Sequence, residues 1–299
     1  MRLIHLTDPH LSSLDDEKFW QLRGKRWSGY LSWRKNRRQR YLPAVLDKLT
    51  EAVKAENADK ILLTGDLIQI GLESEIAQAA TWLDTLGAAA QVMLVPGNHD
   101  TYAHGSADAV YKAWSSYLFQ DQPSDLTNET NPFPVLRKQG GISFIGLSTA
   151  CVTPVFMAGG KLGGEQLAKL GELLRQATDE KQMVCLLIHH PPLPGMTVRR
   201  KALADADALQ AVLELNPPLL VFHGHLHHNR EQQWGDSRIY CTASASSAGD
   251  ASFRVIDIED KGDHLEFHMR LKSIAIEETQ KLEFVTVDEQ HWQVLKNFD

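Results

Sequence analysis

Five short apolar segments of this 299-residue chain end in side chains that can bind metal ions, and this repetition constrains the fold more than any other feature. Segments such as KILLTGD and VMLVPGNHD have the length of one β-strand and stop at Gly, Asp or Asn. Stretches that predict helices lie between them, such as residues 106–119, and this alternation predicts an α/β sheet. Residues 121–140 are rich in Pro, Asn and Asp and predict a loop. Strand-rich sequence from about residue 238 predicts a second sheet packed on the first, within one domain over residues 1–299.

The polar side chains that follow these strands are expected to meet at one place, because ligand sites in α/β proteins form beyond the carboxyl ends of strands. Taken singly, each cluster has an ordinary alternative as a turn or as a hydrogen-bonded core histidine. Their shared position favours a metal site, and Asp, Asn and His suit Mn, Fe or Zn ions. The clusters are Asp8 and His10, Asp66, Asn98 and His99, His189 and His190, and His223, His225 and His227.

In their order, the segments DPH, GD, GNHD, HHP and GHLH resemble the five signature blocks of the calcineurin-like metallophosphoesterase superfamily. The resemblance runs from residue 3 to about 228. It implies a four-layer α/β/β/α sandwich with two metal ions at the strand ends, and it leaves His223 and His228 as surface or supporting residues. The implied ligands are Asp8, His10 and His227 for one ion, Asn98, His189 and His225 for the other, and Asp66 as the bridge between them.

The same resemblance implies hydrolysis of a phosphoester, with a hydroxide that bridges the two ions as the nucleophile. It implies that His99 contacts the phosphate or protonates the leaving oxygen, and that Asp100 orients the His99 ring. A basic loop after the fourth block, GMTVRRKAL, offers further contacts for a substrate. The candidate substrate-binding residues are Asn98, His99, His190, Arg199 and Arg200.

Departures from known branches of the superfamily narrow the expected activity. Protein Ser/Thr phosphatases carry Asp-Arg-Gly and GNHE in blocks two and three, where this chain has GDLIQIG and GNHD. Purple acid phosphatases place a metal-binding Tyr where this chain has Gln69. The block HHPPLPG resembles bacterial phosphodiesterases, so we expect a phosphodiesterase that acts on a small phosphoester. Two alternatives stay open: a hydrolase of the UDP-diacylglucosamine pyrophosphate bond at the inner membrane, and a non-catalytic scaffold.

A basic, aromatic insertion at about residues 15–41 separates the first two blocks. Nine Lys or Arg and no acidic residue lie between Lys18 and Arg40, although the chain as a whole carries a formal charge of −7. Such a segment can be a solvated surface, a contact with an anionic membrane through residues 18–40, or a cap over an anionic substrate. Gly24, Ser28 and Gly29 predict that a helix forms only after Gly29. The acidic remainder argues against a nucleic-acid partner.

The cysteines and the apolar runs indicate where such a protein works. Three scattered cysteines suggest neither a disulfide framework nor a CxxC metal site, and they favour a reducing compartment. The longest apolar runs are too short to span a bilayer. We therefore expect a cytoplasmic location, with the alternative of a peripheral position at the inner face of the membrane.

Overall fold

Two six-stranded β-sheets and seven α-helices form the part of the chain that our computed structural model describes, residues 1–11, 13–120, 132–276 and 282–295. The strands are β1 (Arg2–Leu6), β2 (Lys60–Leu63), β3 (Val92–Leu94), β4 (Val135–Gln139), β5 (Ile142–Gly146), β6 (Met183–Leu187), β7 (Leu220–His223), β8 (Arg230–Trp234), β9 (Ser237–Cys241), β10 (Ser252–Asp260), β11 (His264–Ile276) and β12 (Leu282–Leu295). The helices are α1 (Lys25–Ser32), α2 (Pro43–Ala55), α3 (Glu73–Leu86), α4 (Ser106–Ala113), α5 (Ser115–Phe119), α6 (Gly164–Asp179) and α7 (Ala206–Leu215).

The order of the strands gathers their carboxyl ends at one side of the molecule. The first sheet has the order β12-β11-β10-β1-β2-β3, and β1, β2 and β3 are parallel neighbours. The second sheet has the order β4-β5-β6-β7-β9-β8, with β5, β6, β7 and β9 parallel. Parallel strands end at the same edge, so the loops after β1, β2 and β3 lie side by side, as do those after β6 and β7.

Alternate residues of the central strands pack into two different cores. Phe144 and Cys185 lie in the core that the two sheets share, whereas Ile145 and Leu186 pack against α6 and α7. Helices α2 and α3 pack on the first sheet, and the apolar face of α2 recurs at helical spacing after Pro43 at its first turn. The α/β/β/α sandwich expected from the sequence is confirmed.

Several element boundaries differ from the sequence-based expectation. The helix expected over residues 106–119 is broken at Trp114 into α4 and α5. The loop expected over residues 121–140 contains strand β4, which turns into β5 through two glycines with positive φ; residues 121–131 lie outside the described part. The Pro, Asn and Asp residues of this stretch led to the loop prediction, but Arg137 of β4 is buried and its guanidinium donates to the carbonyls of Ala89 and Val92.

The basic insertion also folds differently from the expectation. Helix α1 begins at Lys25 and runs through Ser28 and Gly29, and a π-helical turn continues it over Trp33–Arg37. Close packing requires glycine at position 29, because a Cβ there would lie 2.4 Å from the hydroxyl of Tyr102. The glycine therefore permits close packing on the domain beneath and does not interrupt the helix.

Candidate metal centre

The predicted ligands are side chains of the loops that follow five strands. Asp8 and His10 follow β1, Asp66 follows β2, and Asn98 follows β3, so the first sheet contributes four of them. The second sheet contributes the other three: His189 follows β6, and His225 and His227 follow β7. Six of these side chains are buried, and His227 is partly exposed.

The structure brings these residues into two adjoining groups. Asp8, His10, Asp66 and His227 form one group, and Asp66, His189 and His225 form the other, with the ligand atoms of each group within 4.8 Å of one another. Asn98 joins the second group, because its Oδ1 lies 3.2 Å from Nε2 of His189. The two sets coincide with those implied by the resemblance.

Asp66 stands between the two groups. Its Oδ2 lies 3.4 Å from Nε2 of His189 in one group and 4.0 Å from Nε2 of His10 in the other. Its Oδ1 is occupied, since it accepts the backbone N–H of His99 at 2.7 Å. One carboxylate oxygen is therefore left to face both candidate ion positions.

Two of the ligand histidines, His10 and His189, have an Nδ1 bond that leaves Nε2 for a metal ion. Nδ1 of His10 donates to the Ile68 carbonyl at 3.2 Å, and Nδ1 of His189 donates to the Thr64 carbonyl at 2.7 Å. Each ring then presents the lone pair of Nε2 to a carboxylate, an arrangement that calls for a cation between them. Nε2 of His225 is buried and has no hydrogen-bond partner within the described residues. The donor set fits two ions of the Mn, Fe or Zn kind.

Electrostatics in the site also favour bound cations. Burial and neighbouring imidazoles lower the pKa of His10 and of His225 well below the ordinary value, so both rings are neutral and able to bind metal. Burial opposes protonation of His189 as well, but the Asp66 carboxylate outweighs it and raises the pKa of His189. Without a metal ion, a proton on His189 would supply the positive charge that Asp66 attracts.

Left-handed backbone conformations orient several of the candidate ligand side chains. Nine non-glycine residues in the described part have positive φ, and five of them are candidate ligands. Asp and His tolerate the left-handed region better than β-branched residues do, but at a cost in conformational energy. The five are Asp8 (φ 51°), His10 (42°), Asp66 (55°), His225 (69°) and His227 (57°).

Two motif glycines allow the loops of the site to approach one another. A Cβ on Gly97 would lie 2.2 Å from Oδ1 of Asp66, and a Cβ on Gly224 would lie 2.4 Å from Oδ2 of Asp8. Either side chain would displace a carboxylate of the site. The glycines of the GNHD and GHLH blocks are thus required by close packing around the ligands.

Asp100 has a different role from the one expected. Its carboxylate accepts the backbone N–H groups of Asp66, Leu67 and Gly97 at 2.8–2.9 Å, and it makes no hydrogen bond to the His99 ring within the described residues. The His99 ring instead donates from Nδ1 to the Gln69 carbonyl. The expectation that Asp100 orients His99 is therefore wrong, and Asp100 holds the loop that carries the bridging Asp66.

The predicted substrate contacts are dispersed. His190 is buried with both ring nitrogens engaged, by the Thr149 hydroxyl at 2.7 Å and the Ala158 carbonyl at 3.2 Å, so this geometry contradicts a phosphate contact. Arg199 and Arg200 lie in an exposed 3-10 turn whose backbone pairs with the loop of Ala158. Their contact with substrate stays a prediction.

The two histidines of the fifth block that are not implied ligands, His223 and His228, have different environments. His223 is buried at the end of β7 and is no surface residue, with Nδ1 3.1 Å from the Gly224 carbonyl. His228 is exposed, and its Nδ1 donates to the carbonyl of Leu226 at 3.0 Å. Neither belongs to the two candidate ligand groups.

Two residues of the insertion reach the site although their sequence context did not single them out. The Tyr41 hydroxyl lies 2.7 Å from Nδ1 of His227, which leaves Nε2 of that ring 3.0 Å from Oδ1 of Asp8. Nη1 of Arg37 lies 3.2 Å from Nδ1 of His99. No motif marks either residue, because both lie outside the five signature blocks.

Comparisons with known proteins agree with this geometry. A family model described as calcineurin-like phosphoesterase matches residues 1–229. No curated protein sequence matches the chain. A dimetal phosphatase from Danio rerio shares the fold, with 18% identity, a TM-score of 0.59 and coverage of 96% of this chain and 98% of that one. A candidate 5'-nucleotidase from Staphylococcus aureus has 10% identity and a TM-score of 0.51, over 96% of this chain and 53% of that one. By the family match and the converging metal ligands, the chain belongs to the calcineurin-like phosphoesterase family.

Proposed function

We propose that this protein is a two-metal phosphodiesterase. The observation that carries the proposal is Oδ2 of Asp66, which faces His189 at 3.4 Å and His10 at 4.0 Å and so belongs to both ligand groups. Two divalent cations held there would stabilise charge on a phosphoryl group and lower the pKa of water. No Ser or Cys nucleophile is then required.

The side chains of the site have separate roles in this reaction. Asp66 reduces the repulsion between two nearby positive charges, and Asp100 keeps its loop in place through backbone amides. His99 borders the site, because its backbone N–H donates to the shared Asp66 at 2.7 Å and its ring packs edge-on against His10 with centroids 5.0 Å apart. Burial lowers the pKa of His99 to about 4, so the free enzyme holds it neutral until an anionic substrate arrives.

Exposed apolar side chains on segments that border the site support a diester over a simple monoester as the substrate. Phe156 is 88% exposed and Trp27 is 47% exposed. The segments that carry them are joined, because Nζ of Lys25 donates to Oγ1 of Thr153 at 2.8 Å. The segment of Phe156 also borders the site, since the carbonyl of Ala158 accepts from His190. A diester has a second organic group that such a rim could contact.

The test is turnover of bis(p-nitrophenyl) phosphate and of p-nitrophenyl phosphate by protein loaded with Mn, Fe or Zn. We expect metal-dependent turnover of both substrates, with the diester hydrolysed faster. The Asp66→Asn variant measures the background rate of turnover. The His228→Ala variant is the control, because it replaces an exposed histidine of the fifth block that is not a candidate ligand. A faster reaction with the monoester would contradict a phosphodiesterase. Absence of turnover with every metal would favour the non-catalytic scaffold.

The second candidate function is hydrolysis of a lipid-linked substrate such as UDP-diacylglucosamine at a membrane surface. The same apolar rim favours it, together with Trp20, which is 69% exposed within the basic insertion. None of the helices in the described ranges has the length and apolar character of a membrane span. We propose peripheral contact with an anionic bilayer through residues 18–40, and turnover of the lipid-linked nucleotide beside the soluble diester would distinguish the two candidates.

A further inference from the structure

The basic insertion is packed onto the domain next to the metal centre. Tyr30 and Trp33 are buried in a small apolar cluster with Leu14, Ile70 and Tyr102. Arg26 also holds this segment against the loop that precedes α3, because its guanidinium donates to the carbonyl of Gly71 at 2.7 Å. The insertion therefore has a fixed position from which it can present side chains to the site.

Several basic side chains of this segment already have a hydrogen-bond or salt-bridge partner among the described residues. Arg38 pairs with Asp15 at 2.7 Å, and Arg40 lies 4.0 Å from Asp250. Arg37 differs, because no carboxylate lies within salt-bridge distance of it among the described residues. The side chain is only partly exposed, and its Nε is buried without a hydrogen-bond partner in the part of the chain that the structure describes. Arg37 is thus a largely enclosed cation that lacks an anion.

The other contacts of Arg37 direct it at the reaction site. Nη2 donates to the Gly29 carbonyl at 3.1 Å, which anchors the guanidinium in the insertion. Nη1 lies 3.2 Å from Nδ1 of His99, but that nitrogen already donates to the Gln69 carbonyl and cannot accept. The remaining acceptor, Nε2 of His99, is 3.4 Å away. A guanidinium offers five N–H donors, so Arg37 retains donors for a ligand.

The position of His99 defines what that ligand can be. The backbone N–H of His99 binds Asp66, and its ring packs against His10, so Arg37 is one side chain removed from both ligand groups. A phosphoryl group bound at the metal centre would place oxygens in this space. Arginine recognises such oxygens with paired, charge-assisted hydrogen bonds.

We propose that Arg37 binds the non-bridging oxygens of the substrate's phosphoryl group, which makes the insertion a cap that completes the site. The proposal rests on the proposed function for its substrate class, but it also predicts that the metal-loaded protein binds the phosphate anion. Other phosphate-binding residues of the site lie on strand-end loops, whereas this one would come from the insertion. The cap would then govern substrate affinity independently of metal binding.

The experiment measures binding of inorganic phosphate to Mn-loaded protein by calorimetry, and inhibition of diester turnover by phosphate. Arg37→Ala is expected to weaken phosphate binding about 10- to 100-fold and to raise KM with less effect on kcat, because a charge-assisted contact is lost. Metal content should stay unchanged. Arg34→Ala removes an exposed charge from the same π-helical turn and should change neither quantity.

Two further variants keep the result interpretable. Arg37→Gln removes the charge but keeps a polar side chain with the same apolar stem, so it separates loss of charge from loss of side-chain packing. Arg37→Lys should recover part of the affinity, since one ammonium cannot replace a planar pair of donors. Unchanged phosphate binding in both Arg37→Ala and Arg37→Gln would overturn the proposal. Normal phosphate binding by parent protein that turns over no ester would instead count against the proposed function.

Discussion

The strand-end loops and the basic insertion both contribute to the site, but different forces hold them. The loops are extensions of buried parallel strands, and Asp100 and carbonyls such as that of Thr64 fix their side chains. The insertion is a short helix and a π-helical turn held by one apolar cluster and a few hydrogen bonds. The topology of the sheets therefore determines where the metal ligands lie, whereas local packing determines what the insertion adds.

The strongest way to test this division is to remove the residue shared by both ligand groups. Asp66→Asn removes the negative charge between two cations, so we expect loss of at least one metal ion and abolition of turnover. Metal analysis and diester hydrolysis measure the two effects, and His228→Ala serves as the control. Near-normal metal content and rate would show that Asp66 is not the bridge.

The second variant leaves the ligands intact. His99→Ala should keep the metal content and reduce turnover by roughly 10²–10⁴, the usual contribution of a positioned acid or base. The loss should be smaller for a p-nitrophenyl ester than for an alkyl ester, because a good leaving group needs less protonation. Equal losses with both esters would assign His99 to phosphate binding instead.

The third variant tests whether the insertion acts on a metal ligand. Tyr41→Phe removes the hydroxyl bonded to Nδ1 of His227, and loss of such a partner lowers metal affinity by about 10- to 100-fold. Competition titrations with Mn should show one weakened ion and one unaffected ion. Turnover should recover at high Mn concentration. Equal affinity of both ions in the variant and the parent would limit the insertion to contacts with substrate.

The smallest effect on turnover is expected from the outer face of the insertion. Arg34 and Lys35 are exposed, and each cation near an anionic bilayer contributes about 1 kcal/mol. The double variant Arg34→Gln, Lys35→Gln should bind anionic vesicles up to about 30-fold more weakly and hydrolyse the soluble diester normally. Sedimentation with anionic and neutral vesicles at two salt concentrations measures this. Equal sedimentation with both vesicle types would leave the segment as a solvated surface of the cap.

The sequence was most informative where chemistry and topology coincide. Asp8, Asp66 and His189 were found because each follows an apolar strand, and strand ends converge in any such sheet. Asp100 was misassigned because a neighbouring position in the chain does not show which way a carboxylate points. The sequence could not reveal Arg37 and Tyr41 as site residues, because their contacts depend on how α1 packs on Tyr102.

The left-handed backbone at five candidate ligands has a consequence for how this protein can change over time. Each such residue costs of order 1 kcal/mol relative to a relaxed conformation, and glycine at the same position would remove that cost. Substitutions that abolish the site could therefore make the folded chain more stable. Selection for the stability of the metal-free fold alone would not preserve these conformations, so their persistence depends on selection for metal binding and chemistry.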